Sequence, residues 1–186
     1  MSYDDILLEA EEAMEKAVDF LRSEYRTLRT GRASTALVEH LKVEYYGAPT
    51  PLKQLANLSA PEANLIVIKP FDASSLKDIE KAIIASSLGI TPSNDGRVVR
   101  LNVPALSGER RQQLANQVKQ MAEHARVTIR NARRDANKHL DQAEKDKDIT
   151  EDDRDEGKKE IDELTKKYVG QIDDVLKAKT DEIMEV

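Results

Sequence analysis

The beginning of the chain repeats apolar side chains at the spacing of an amphipathic helix. Within residues 3–30 the repeat alternates steps of three and four and comprises Leu7, Ala10, Met14, Ala17, Leu21 and Leu28. One position of the repeat falls on Glu24 and Tyr25. Such a stripe is typical of a helix that packs in a bundle. The helix is predicted to end at Thr30-Gly31, because glycine readily takes the conformation that closes a helix.

The middle of the chain, residues 31–105, follows a different pattern and contains all six prolines. The segments LKVEYYGAPTP and NLIVIKPF predict short strands, the first of them with a turn centred on glycine. The next segment, SSLKDIEKAIIASSLG, predicts a compact helix in which Leu76, Ile79 and Ile83 share one face. The segment SNDGRVVRLNV predicts a turn followed by a strand. This part of the chain is therefore predicted to form a small β/α/β unit.

The end of the chain returns to the helical pattern. Ser107 is a candidate N-cap for a second helix, whose apolar stripe comprises Leu114, Val118, Met121, Ala125, Thr128, Ala132 and Ala136. Thr150, with Asp153 three residues later, predicts a capping box at the start of a third helix. The stripe of that helix comprises Ile161, Leu164, Tyr168, Ile172, Val175 and Ile183. Three long amphipathic helices predict a three-helix bundle.

The order of these segments predicts an α+β fold in which a small domain interrupts a bundle. Residues 1–30 together with 106–186 form the predicted three-helix bundle, and residues 31–105 form the inserted β/α/β domain. The chain must then cross twice between the two domains, and short crossings without a large shared core favour a hinge. The residues assigned to this hinge are Thr30, Gly31, Arg32 and Ala33 in the first crossing and Pro104, Ala105 and Leu106 in the second.

Charge is distributed unevenly along the chain. The formal net charge is −6, yet residues 97–134 carry nine basic side chains and two acidic ones. Residues 144–163, by contrast, carry eleven acidic side chains and five basic ones. The stretch HARVTIRNARRDANKHL, residues 124–140, contains four arginines. This distribution predicts one localised cationic surface on an otherwise acidic protein.

Four of these nine basic side chains fall on one side of the second predicted helix. On a helical wheel with Leu114 at 0°, the predicted apolar face is centred at about 15°. Between about 100° and 160° lies a row about 21 Å long, here termed the cationic line. Its members are Lys119, Arg126, Arg130 and Arg133. Arg134, at about 200°, stands off the line and is predicted to form an ion pair with an acidic residue of the bundle.

The residues alone leave two interpretations of the cationic line open. In the first, the line is a solvated face that forms ion pairs with the acidic neighbouring helices. In the second, it binds a polyanion. Carboxylates are almost absent four residues from its members, so local pairs would not account for the charge. The planar fork of arginine also suits phosphate.

The residue types of common catalytic and metal sites are missing or badly spaced. The chain has no cysteine, and its three histidines, His40, His124 and His139, have no partner at ligand spacing. No P-loop, G-x-G-x-x-G or G-x-S-x-G motif is present. The acidic run DKDITEDDRDEG does not fit an EF-hand, because its glycine falls at position five of the loop. We therefore expect no catalytic residue, no metal and no cofactor.

The sequence also bears on where the protein is found. Its first residues, MSYDDILLEAEEAMEK, lack the basic and apolar regions of a signal peptide. No apolar run approaches the roughly 20 residues that span a bilayer. We therefore expect a soluble protein of the cytoplasm.

Four longer motifs resemble those of the bacterial ribosome recycling factor family. They are RTGRAS (29–34), VEYYGAPTPLKQLA (43–56), KAIIASSLGITPSNDG (81–96) and RNARRDAN (130–137). The resemblance runs through the whole chain in length, segment order and motifs. It implies an L-shaped molecule in which a three-helix bundle is joined by a hinge to a small β/α/β domain.

The resemblance also implies a function on the ribosome after termination. With elongation factor G and GTP, such a factor splits the ribosome into subunits and releases mRNA and tRNA. The expected partners are large-subunit rRNA and elongation factor G, with no DNA and no membrane, and the protein is expected to act as a monomer.

The resemblance places the residues that bind rRNA on five arginines. They are Arg29, Arg110, Arg126, Arg130 and Arg133, with Lys119 and Arg134 as secondary basic residues. We expect the acidic remainder of the bundle to limit non-specific adhesion to RNA. Two other classes remain as alternatives: a helical adaptor or co-chaperone that binds a protein through the bundle, and a catalytic domain with an unrecognised site.

Overall fold

The computed structural model describes residues 1–185 and contains three long helices and a small α/β unit. The long helices are α1 (Tyr3–Thr27), α4 (Gly108–Lys145) and α5 (Glu151–Met184). Between α1 and α4 the chain forms β1 (Lys42–Tyr45), β2 (Ala48–Pro51), α2 (Leu52–Leu55), β3 (Ala56–Glu62), β4 (Leu65–Pro70), α3 (Leu76–Ala85), β5 (Pro92–Asn94) and β6 (Val99–Asn102). This order confirms the predicted α+β fold, with the small unit inserted between the first and second long helices. Within residues 1–185, none of the helices combines the length and the apolar character needed to cross a membrane.

The chain divides into two compact units. One unit contains Met1–Arg26 and the chain from Gln112 on, and the other contains Thr27–Arg111. The sequence placed the ends of the inserted domain at residues 31 and 105. The second unit extends beyond that domain at both ends. It also includes the residues that follow α1 and the first turn of α4.

Helix α1 buries an apolar stripe with the predicted period. Its buried residues are Ile6, Ala10, Met14, Ala17, Val18, Leu21 and Tyr25. Leu7, which was predicted in the stripe, is only half-buried, and its neighbour Ile6 takes that place. Tyr25 fills the ambiguous position, and its hydroxyl donates to the carbonyl of Val118 in α4 at 2.5 Å. This bond satisfies the polar end of a ring that is otherwise inside the bundle.

Helix α5 begins with the predicted capping box. The Oγ1 atom of Thr150 accepts a hydrogen bond from the amide of Asp153 at 3.1 Å. The amide of Thr150 in turn donates to Oδ2 of Asp153 at 2.9 Å. The hydrogen bonds from the Thr150 hydroxyl and amide hold the pKa of the Asp153 carboxyl below its usual value. The shorter aspartate thus performs the role that glutamate usually has at this position.

A glycine permits close packing near the start of α5. Gly157 is buried, and a Cβ atom there would lie 2.9 Å from Cδ2 of Leu140 in α4. The same Cβ would lie 3.0 Å from Cε2 of Tyr3 in α1. All three long helices therefore meet at this point with no room for a methyl group.

The small unit contains a four-stranded antiparallel sheet and a separate hairpin. The strand order in the sheet is β3-β4-β6-β5, and β1 pairs with β2. Tyr46 and Gly47 have φ angles of 49° and 78°, which suit the two-residue turn of the hairpin. Helix α3 packs against β1 and β5. The hairpin, the sheet and α3 share one hydrophobic core. Its fully buried residues are Val38, Val43, Leu52, Ile66, Ile68, Ile79, Val99 and Leu101.

Two strands of the sheet, β3 and β5, were not predicted from the sequence. Both are edge strands. Only Ala56 of β3 is buried, and β5 has three residues, so neither shows a clear alternation of apolar and polar side chains. The edge position also accommodates Pro61 and Pro92, which would interrupt the hydrogen bonds of a central strand.

Substitution of Gly157 with alanine should destabilise the protein although alanine is the better helix former. The new methyl group would press on Leu140, which is fully buried, so we expect a loss of about 1 kcal/mol in the free energy of unfolding. Gly170→Ala in the same helix is the control, because nothing lies within 4 Å of a Cβ atom there. This control should gain about 0.5–1 kcal/mol. Urea unfolding followed by circular dichroism measures both, and a gain at both positions would contradict the close packing at Gly157.

Candidate nucleic-acid interface

The buried face of α4 lies closer to the cationic line than the sequence indicated. Ala122 and Ile129 are buried where Met121 and Thr128 were predicted. The centre of the observed face on the same wheel is at about 45° instead of 15°. The arginines of the line therefore lie beside the buried face, where an arginine can place its aliphatic stem along apolar surface and its guanidinium group in water. The buried residues are Leu114, Val118, Ala122, Ala125, Ile129, Ala136, Leu140 and Ala143.

Arg126 is held in place by acidic side chains from two helices. Its Nε and Nη2 atoms donate to Oδ1 of Asp173 in α5 at 3.0 and 2.5 Å. Its Nη1 atom donates to Oε2 of Glu123 at 3.1 Å. The hydrogen bonds with Asp173 raise the pKa of Arg126 above its usual value, although partial burial opposes the shift. Since its side chain is only 20% exposed, Arg126 is in part a structural link between α4 and α5.

Glu123 connects Arg126 to Arg130. Its Oε1 atom accepts a hydrogen bond from Nη2 of Arg130 at 2.6 Å, while Oε2 accepts the bond from Arg126. The bonds from Arg130 and Arg126 hold the pKa of the Glu123 carboxyl below its usual value. The expectation that local pairs do not account for the charge was therefore wrong for these two arginines. It considered positions four residues away, whereas Glu123 lies three residues before Arg126 and seven before Arg130.

The other basic residues predicted on this helix differ from Arg126 and Arg130 in their contacts. Within residues 1–185, no ion pair is formed by Arg133, Arg134 or Lys119. Arg133 is half-buried, whereas Arg134 and Lys119 are exposed. The predicted ion pair of Arg134 is thus wrong, because at about 200° on the wheel it lies opposite the buried face and out of reach of the neighbouring helices. One turn after Arg133, Oδ1 of Asn137 is buried without a hydrogen-bond partner within residues 1–185.

The remaining two predicted arginines, Arg29 and Arg110, lie in the small unit. Arg29 donates from Nη1 to the carbonyl of Leu88 at 2.6 Å and from Nη2 to that of Ser87 at 2.5 Å. These carbonyls follow the end of α3, where backbone acceptors have no partner in the helix. The amide of Arg110 donates to Oγ of Ser107 at 3.2 Å, which confirms Ser107 as the N-cap of α4. Both arginines line a cavity of about 270 Å³.

The two segments assigned to the hinge lie against each other within the small unit. Gly31 has a φ of 76°, and a Cβ atom there would lie 2.9 Å from Cγ of Leu106. The amides of Ala33 and Val103 donate hydrogen bonds to the turn between β3 and β4. The two segments are therefore close in space, although the boundaries between the two units fall outside them, at residues 26/27 and 111/112. The hinge itself stays a prediction.

Sequence reasoning did not find the two acidic residues of this site. Glu123 could have been found, because at about 180° on the wheel it lies next to Arg130, two helical turns away. Asp173 could not, because it lies 47 residues after Arg126 on another helix. Within residues 1–185, no group of three or more acidic or histidine side chains is arranged to hold a metal ion. The groups that converge here are guanidinium groups, whose fork matches the geometry of carboxylate and phosphate oxygens.

The fold defines a class of α+β proteins in which a small α/β unit interrupts a bundle of three long helices. In this chain the second long helix carries the arginine-rich face. The family described as "Ribosome recycling factor" matches residues 21–184. The chain belongs to the ribosome recycling factor family.

Relatives and solved structures match over nearly the whole chain. The ribosome-recycling factors of Carboxydothermus hydrogenoformans and Halalkalibacterium halodurans are each 52% identical over 182 residues, which is 98% of this chain and of theirs. A solution structure of a ribosome recycling factor has a TM-score of 0.81 and 42% identity, covering 100% of this chain and 99% of that one. The T. thermophilus factor, in a structure with E. coli elongation factor G bound to the E. coli post-termination complex, has a TM-score of 0.68 and 40% identity and covers all of both chains. The resemblance inferred from the motifs is confirmed.

The different environments of Arg126 and Arg133 predict different effects on stability. Arg126→Ala should lower the free energy of unfolding by about 1 kcal/mol, because it removes the partner of Asp173 between α4 and α5. Arg133→Ala should change it by less than about 0.5 kcal/mol, because no ion pair is lost. Thermal unfolding of the two variants measures the difference. An equal loss in both would show that Arg133 also has a structural role.

Proposed function

We propose that this protein binds the post-termination ribosome and, with elongation factor G and GTP, splits it into subunits, so that mRNA and tRNA are released. The observation that carries this proposal is the match to ribosome-recycling factors, which covers 98% of this chain and of the relative and so includes both units. The T. thermophilus factor, bound with elongation factor G to the post-termination complex, supports the choice of partner. GTP hydrolysis belongs to the elongation factor, so no catalytic residue is assigned to this chain.

The cationic line is the proposed contact with large-subunit rRNA, and Arg133, at the C-terminal end of the line, is the residue on which its test relies. Support comes from the absence of an ion pair at Arg133 and Lys119 within residues 1–185. Arg133 is half-buried, so its side chain has less conformational freedom to lose on binding. Arg134 is a further exposed cation beside the line.

The small unit contributes the remaining proposed contacts and the hinge. Arg29 and Arg110 are proposed to contact rRNA from this unit, and Arg29 also holds the end of α3 through two carbonyls. The segments 30–33 and 104–106, which lie in the small unit near its two boundaries with the bundle, are proposed to change conformation when the elongation factor acts. The positive φ of Gly31, beside Leu106, makes this glycine the residue of the hinge that is hardest to replace.

The proposal is tested by splitting of post-termination ribosomes that carry mRNA and deacylated tRNA. The protein, elongation factor G and GTP are added, and light scattering follows the separation of the subunits. Arg133→Ala should weaken binding roughly 10- to 150-fold, as expected for the loss of a hydrogen bond between charged groups. Arg26→Ala is the control, because it removes an exposed arginine from the same unit but lies on α1, outside the proposed surface.

The outcomes separate the function from the surface. Splitting by the unmodified protein and by the Arg26 variant, with impairment in the Arg133 variant, would support both proposals. Unimpaired splitting by the Arg133 variant would leave the function in place and contradict the surface. If the folded, unmodified protein does not split ribosomes in the presence of both partners, the proposed function is wrong.

A further inference from the structure

Two of the four members of the cationic line donate hydrogen bonds to carboxylates of the protein itself. Arg126 donates three hydrogen bonds to Asp173 and Glu123, and Arg130 donates one to Glu123. The other two members of the line, Lys119 and Arg133, form no ion pair within residues 1–185. The line therefore has an occupied pair of arginines and an open pair of cations.

The carboxylate of Glu123 bridges two arginines of the cationic line. Its two oxygens accept one hydrogen bond from each of two arginines, at 2.6 and 3.1 Å. Phosphate oxygens approach guanidinium groups with the same planar geometry. A phosphate can use these N–H groups only after Glu123 has moved, because two anions that share them would repel each other.

The exposure of the partners indicates which of them moves. The side chains of Glu123 and Asp173 are each 54% exposed, whereas that of Arg126 is 20% exposed. Exposed ion pairs are weak, so a carboxylate on the surface of a helix can rotate into water without a large loss. The carboxylates can therefore leave while the stem of Arg126 stays in place.

We propose that Glu123, assisted by Asp173, competes within the protein for the phosphate sites of Arg126 and Arg130 and thereby limits the affinity of the cationic line for RNA. RNA first meets the open cations and gains the other two arginines only by displacing Glu123. On dissociation, the return of Glu123 to the arginines favours release. This inference rests on the proposed function in taking RNA as the ligand of the line. From the sequence, the acidic remainder of the bundle was expected to limit adhesion to RNA. In this proposal the limit comes instead from one carboxylate within the cationic line.

The matched comparison is Glu123→Gln against Asp174→Asn. Both substitutions remove one negative charge, but Asp174 is exposed and forms no ion pair within residues 1–185. The probe is a short fluorescein-labelled RNA of mixed sequence, and its binding is followed by fluorescence anisotropy over a range of potassium chloride concentrations. Thermal unfolding of both variants shows whether they are folded.

Glu123→Gln should bind the probe about two- to fivefold more tightly than Asp174→Asn, as expected for the loss of a weak competing pair. The slope of log K against log salt should also be steeper by about 0.7 for each arginine that contacts a phosphate in Glu123→Gln but remains on the Glu123 carboxylate in Asp174→Asn. Equal affinities and slopes for the two variants would overturn the inference, because general charge would then explain the effect. Weaker binding by Glu123→Gln would also overturn it, since Glu123 would then orient the arginines for RNA.

A second arm uses purified large ribosomal subunits and measures the dissociation rate of the labelled protein. Competition predicts that Glu123→Gln dissociates about two- to fivefold more slowly than Asp174→Asn. Equal dissociation rates would overturn the inference for the ribosomal ligand. Failure of the unmodified protein to bind subunits would count against the proposed function, while the arm with the labelled RNA would still decide whether Glu123 competes.

Discussion

One long helix, α4, packs into the bundle core with one face and carries the cationic line beside that face, and the rest of the structure depends on this arrangement. Its 38 residues span about 57 Å, and four of its eight buried residues are alanines. Small side chains let neighbouring helices approach closely, as Gly157 does from the side of α5. The packing of α5 beside α4 brings Asp173 within hydrogen-bond distance of Arg126. The bundle thereby gives Arg126 a partner on α5, whereas the partner of Arg130, Glu123, lies on α4 itself.

Within this arrangement, the same guanidinium chemistry serves both structure and binding. Arg126 lies near α5 and is largely covered, so its hydrogen bonds help to fix the position of α4 against α5. Arg133 lies on the same side of α4 without an ion pair within residues 1–185. The two interpretations of the line that the sequence left open are therefore compatible, because each applies to different members of it. Neighbouring carboxylates distinguish these members better than the number of positive charges does.

Much of the fold follows from local sequence signals, whereas the partners of the arginines do not. The helical period, the capping box of Thr150 and Asp153, and the burial of Leu76, Ile79 and Ile83 could be predicted, because each depends on residues close together in the chain. Which of Ile6 and Leu7 is buried could not be predicted, because both are apolar and only contacts with the other helices decide between them. Edge strands such as β3 carry little apolar pattern and were missed for that reason. Membership of the family was predicted from long motifs and not from any single residue.

Arg29 shows why a motif alone does not establish what a residue contacts. The resemblance placed it among the rRNA-binding arginines. In the structure, two of its nitrogen atoms donate hydrogen bonds to the carbonyls of Ser87 and Leu88. Both carbonyl and phosphate oxygens accept hydrogen bonds from a guanidinium group, so the sequence cannot distinguish the two uses. Loss of Arg29 would leave backbone acceptors at the end of α3 without their donor, which affects the small unit whether or not RNA is bound. A weakened function in an Arg29 variant therefore has two possible causes, whereas Arg133, which has no ion pair within residues 1–185, separates binding from folding.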